Sequence, residues 1–136
     1  MAVPPAATKK TPEGAEAFAR FYFESVGDSY VSGNTALIEK MADDSCEGCE
    51  GFVRAINDRA SKGQRTDKSS IQVKLAQATS GKAPNLIVEV AGQEVPVRVL
   101  DAKGNVVETS KPGVFTAVTS VTWREGGWHV MKFVAI

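Results

Sequence analysis

Residues 11–32, TPEGAEAFARFYFESVGDSYVS, decide how the rest of this chain is read. Thr11 is a good helix N-cap, Pro12 suits the first helical position, and Glu13 and Glu16 place negative charge at the positive end of the helix dipole. Ala15, Phe18, Ala19, Tyr22, Phe23, Val26 and Tyr30 recur at steps of three and four, so they share one face of a long helix. Arg20, Glu24 and Asp28 fall opposite and are expected to face water. Gly33 has the place of a C′ glycine that ends the helix. A stripe this aromatic needs a broad apolar partner.

The second half of the chain supplies that partner. From Ile71 onward the hydrophobic period changes from about 3.6 to 2, the signature of strands. Ile71, Val73 and Leu75 alternate with polar neighbours. Leu86–Val90 and Val95–Leu100 flank Ala91-Gly92-Gln93-Glu94, which reads as a hairpin turn. Asp101–Asn105 is a second turn before a short strand, Val106–Thr109. Val114–Trp123 and Trp128–Val134 form a last long hairpin across Arg124-Glu125-Gly126-Gly127.

Two shorter helices fill the gap. Asn34 is placed to cap one over Thr35–Ala42, with Leu37, Ile38 and Met41 buried. Another is predicted from Asp44 or Ser45 to about Lys62, with Asp44 and Glu47 at capping-box spacing and Phe52, Val53 and Ile56 as its stripe. Residues 1–10 lack periodicity and read as a flexible tether, which leaves residues 11–136 as one domain. Three helices followed by five or six mostly antiparallel strands make the fold class α+β. A ten-residue strand spans roughly 33 Å and a twenty-residue helix roughly 30 Å. One helix therefore lies along such strands, and a strongly twisted, curved sheet wraps it.

Composition sets limits on function. The 136 residues carry sixteen Lys and Arg against sixteen Asp and Glu. That balance argues against nucleic acid as the main partner, which demands a basic footprint. No apolar run approaches membrane-spanning length. Charge is uneven along the chain: nine acids lie between Glu13 and Glu50, and seven bases between Gly51 and Lys82. Such runs are usually solvated faces; the sharper alternative is a weak patch for an anionic polymer or headgroup.

Cys46 and Cys49 are the only cysteines. A thiol-redox site fits the CxxC spacing, but such motifs follow a strand, this one follows a helix, and Glu47 and Glu50 oppose a thiolate. A zinc site needs two further ligands, for which the chain offers only His129 and carboxylates. The favoured reading is a local structural disulfide in an oxidising compartment. His129, the sole histidine, stands beside Trp128 in the last strand and makes a poor general base without a facing carboxylate. Phe18, Tyr22, Tyr30 and Trp123 are candidate lining for a pocket beneath the first helix, or plain core. No phosphate loop, triad spacing or dinucleotide fingerprint occurs, and no catalytic residue, cofactor or metal site is assigned.

Residues Glu13–Phe18, Tyr22, Tyr30, Ser32-Gly33-Asn34, Leu37, Met41 and Ser45-Cys46-x-x-Cys49 resemble an uncharacterised family of actinobacterial lipoproteins. The helices followed by a curled sheet ending in Gly126-Gly127-Trp128-x-Val130 resemble the nuclear-transport-factor-2-like (cystatin-like) superfamily, a cone of sheet around a helix. Where that lipoprotein family has Asp after Ser/Thr-Gly, this chain has Asn34, and both residues cap helices. The resemblance implies an extracytoplasmic protein, secreted or held at the cell envelope by a lipid anchor upstream of these residues. It carries over no catalytic residue. The expectation is a non-enzymatic domain that binds a small apolar ligand or an envelope protein and touches membrane only through its anchor, with a homodimer as its plausible assembly. The rivals are a small enzyme of the same fold, using a pocket acid/base pair, and a thiol oxidoreductase using Cys46.

Overall fold

The computed structural model describes residues 3–136. Its helices are α1 (Pro12–Ser32), α2 (Ala36–Met41) and α3 (Glu47–Ser61). The strands are β1 (Arg65–Thr66), β2 (Ile71–Lys82), β3 (Asn85–Glu94), β4 (Arg98–Leu100), β5 (Val106–Thr109), β6 (Gly113–Arg124) and β7 (Gly127–Ala135). The strands make a four-stranded sheet in the order β2-β3-β6-β7 and a small sheet in the order β1-β4-β5. Every strand pairing within the two sheets is antiparallel.

Helix α1 forms as its residues dictate. Thr11 accepts a hydrogen bond from Gly14 N–H at 3.0 Å, and Gly33, at φ 76°, donates to Ser29 O at the other end. Of the predicted stripe, Ala15 through Val26 are buried and Tyr30 is half-buried. The core faces them from β3, β6 and β7 through Leu86, Val88, Val90, Ala117, Val121, Trp128 and Val130. Three register shifts, two in β2 and one between β6 and β7, add local twist and help the sheet wrap the helix.

The face opposite the stripe is not simply solvated. Arg20 donates to Val73 O at 2.8 Å, and Glu16 accepts from Ala78 N–H at 2.8 Å. Strand β2 is an edge of its sheet, and its unpaired main-chain groups need partners. Polar side chains of α1 supply them.

Three local expectations are corrected. Residues 91–94 are not a turn: β3 runs through them, and the hairpin lies between Lys82 and Asn85. Gly92 is in the strand because a Cβ there would strike Gln72 O and the Phe115 ring. The expected strand Val95–Leu100 shrinks to Arg98–Leu100. Helix α3 starts at Glu47 with Cys46 as its cap, so no Asp44–Glu47 capping box forms.

Residues 3–10, expected as a tether, lie against the domain instead; residues 1 and 2 fall outside the described residues. Pro5–Thr8 make a 3₁₀ turn with Ala7 only 2% exposed. The indole N–H of Trp128 donates to Lys9 O at 2.8 Å, and a Cβ at Gly14 would collide with that same carbonyl.

Candidate functional site

Between the helix and the sheet, aromatic side chains pack against one another. Phe23, 3% exposed, is ringed by Tyr22, Phe52, Phe115 and Phe133 at centroid distances of 5.2 to 6.5 Å. Tyr22 is fully buried, and its hydroxyl has no hydrogen-bond partner among the described residues. Burial alone pushes that phenol far above the usual tyrosine range.

A cleft of about 560 Å³ opens instead between the N-terminal turn, α2 and the β6–β7 turn. Phe18, Met41 and Trp128 form its nearly sealed floor, Leu37 and the N-terminal Val3 and Thr8 its walls, and Lys40, Glu125 and His129 its polar rim. The β6–β7 turn shapes the rim through two left-handed residues, Glu125 at φ 54° and Gly126 at φ 81°. Turns of this kind match strand twist.

The four residues expected to line one pocket are dispersed. Phe18 reaches the Trp128 cleft, and Tyr22 is core. Trp123 stands edge-to-face on Trp128 at 5.4 Å. Tyr30 lines a separate cleft of about 300 Å³ between α1, α3 and the small sheet. Burial raises its hydroxyl pKa while the Arg59 cation pulls it down. A helical stripe turns through the whole core, so residues one or two turns apart meet different partners.

His129 pairs with Thr122 in the β6–β7 register, and its Nε2 sits 3.3 Å from Arg124 O. No carboxylate forms an ion pair with it among the described residues. Cys46 and Cys49 form a disulfide with Cα atoms 5.2 Å apart. Both are buried, and Cys46 Sγ accepts the Cys49 N–H at 3.2 Å as the α3 cap. No group of three or more His, Cys, Asp or Glu is arranged to hold a metal ion among the described residues.

Several bases of the 51–82 stretch are paired. Arg59 is spent on Glu108 at 2.7 Å, Lys62 on Asp58 at 3.2 Å, and Arg65 on Ser32 O at 2.6 Å. No helix among the described residues is long and apolar enough to cross a membrane.

Asp43, which sequence reasoning passes over, ties the cleft's supports together. Its main-chain N–H donates to Val130 O at 2.8 Å, while its carboxylate takes hydrogen bonds from Ser45 and pairs with Arg124. The Ser45 hydroxyl and N–H, then Arg124, hold its pKa well below the usual carboxylate range. Asp67 and Asp101 are lowered too, by hydrogen bonds from Arg98 and from the turn at Asn105. A depressed carboxylate contributes stability that is present above its unfolded pKa, about 4, and lost as pH falls through the folded value. The protein is expected to lose urea resistance steadily below about pH 4. Asp43→Asn should lower stability at pH 7 and flatten that acid limb. Parallel curves for the two proteins would exclude that role for the Asp43 carboxylate.

Solved structures show the same architecture. The intermembrane space region of the chloroplast protein ARC6 is 14% identical, with 94% of this chain and 98% of that one covered at a TM-score of 0.68. Aln2 from a Streptomyces species is 9% identical, with 90% and 89% covered at 0.57. A domain of unknown function with a cystatin-like fold from Nostoc punctiforme is 15% identical, with 91% and 75% covered at 0.52. Likeness at such identities establishes the fold alone, and the expected α+β cone is the one present. No curated protein matches the chain. The model of a family of unknown function, DUF6318, matches residues 2–133, and this protein belongs to that family.

Proposed function

We propose that this protein is a non-enzymatic binding domain, placed outside the cytoplasm at the cell envelope, that takes a small apolar ligand or an apolar segment of an envelope protein. The carrying observation is the 560 Å³ cleft with an apolar floor of Phe18, Met41 and Trp128. A few convergent polar groups around an apolar concavity are the usual composition of a ligand site. His129, bonded to a main-chain carbonyl rather than a carboxylate, supports binding over acid/base turnover. The disulfide supports an oxidising compartment, and the lipoprotein resemblance supports an anchor.

Titration with anilinonaphthalene sulfonate tests the cleft. Saturable fluorescence is expected, with amide shifts at Leu37, Met41 and Gly127. Leu37→Asp should weaken binding at least tenfold, with circular dichroism checking that the fold survives, because Leu37 also packs against the core. Shifts confined elsewhere, or an unaffected variant, would reject the assignment. Protease accessibility in intact spheroplasts tests the compartment: a protected protein would place it inside.

A further inference from the structure

We infer that β5 is a docking edge for an extended acidic peptide, added as a fourth strand to the small sheet; this does not rest on the reading of the Trp128 cleft. Strand β5 is the outer member of the order β1-β4-β5, and all four of its residues are exposed, with Val106 at 49% and Val107 at 48%. Its one substantial neighbour among the described residues is β4. Ser110 N–H donates to Val97 O at 2.9 Å, so alternation along the strand turns the Thr109 N–H and C=O to the open side. An unpaired edge with β-branched residues is a template for another strand. Here it is left bare, whereas α1 side chains close the edge of β2.

Charge selects the occupant. Glu108 is held by Arg59, Asp67 by Arg98, and the Asp101 carboxylate by N–H groups of its own turn. Lys103, in the turn before β5, and Lys111, two residues beyond it, enter no ion pair among the described residues. A second copy of β5 is disfavoured. A second copy would bring its own Lys103 and Lys111 to an edge that already carries both, and like charges repel. An added strand with acidic ends and small β-branched residues between them meets no such conflict. The roughly 300 Å³ cleft lies on the inner side of the same strand, lined by Tyr30, Arg59, Val97, Val99, Glu108 and Lys111, with Glu94 on its wall. Strand addition gives affinity through main-chain bonds, and a neighbouring pocket gives side-chain selectivity.

The test uses an eight-residue peptide of alternating valine and threonine flanked by two acidic residues at each end. With the intact protein, saturable amide shifts are expected across Val106–Lys111, with slowed hydrogen exchange at Thr109. Lys103→Glu combined with Lys111→Glu should weaken binding at least tenfold, and both side chains are exposed, so an unchanged melting temperature checks the fold. A peptide with lysines at its ends, or with proline at its centre, should not bind. Equal binding of the lysine peptide, shifts confined to the Trp128 cleft, no saturable shifts at all, or self-association through β5 would each overturn the inference.

Discussion

Phe23→Ala is expected to lose about 3–5 kcal/mol of unfolding free energy, read from urea denaturation. The ring sits where α1 meets α3, β6 and β7, against Phe52, Phe115 and Phe133. Truncation forfeits the transfer free energy of the ring and leaves a cavity, because the partners come from three separate elements and cannot all collapse inward. It also removes edge-on aromatic pairs worth about 0.5–1.5 kcal/mol each beyond their buried area. A domain of this size is typically stable by about 5–15 kcal/mol, so the loss is a large share. Phe21→Ala is the matched control: its ring is only half-buried, and less than half the cost is expected. Equal costs for the two would refute the placement of the aromatic centre.

Removing the disulfide by Cys46→Ser with Cys49→Ser is expected to cost about 2 kcal/mol, the chain-entropy value for so short a loop. Serine at position 46 preserves a side-chain acceptor for the Cys49 N–H position, so the α3 cap survives in that variant. Cys46→Ala with Cys49→Ser adds the loss of the cap, about 1 kcal/mol more. The difference between the variants separates the bridge from the cap. Both sulfurs are buried, so a folded protein should show no thiol and resist mild reductant until it opens. Rapid reduction of the native state would contradict that burial and return the redox reading to consideration.

The cleft is less legible in the sequence than the helix that floors it. Phe18 and Leu37 are readable as apolar helical positions, but nothing local joins them to Trp128, Glu125 or His129, more than eighty residues away. Asp43 stands in a polar loop with no periodic signal, and its worth comes from Arg124 and Val130. Residues 3–10 lack any pattern because a 3₁₀ turn buries only Ala7, too little for a period to register. Gly92 and Pro84 account for the misreading of β3. The glycine mimics a turn signal where it marks a close approach, and the real turn lies at Ala83-Pro84.

Sequence alone determined the elements whose forces act over a few residues. These are the face, cap and end of α1, the short turn after β4, and the last hairpin with its Glu125-Gly126 corner. Tertiary structure decided which strands share a sheet, where β2 and β3 turn, and which α1 side chains close an edge. It also decided where the cleft opens and which strand is left bare. Those outcomes depend on main-chain and side-chain groups meeting across long stretches of chain, and a hydrophobic period records that a face is buried without recording what buries it.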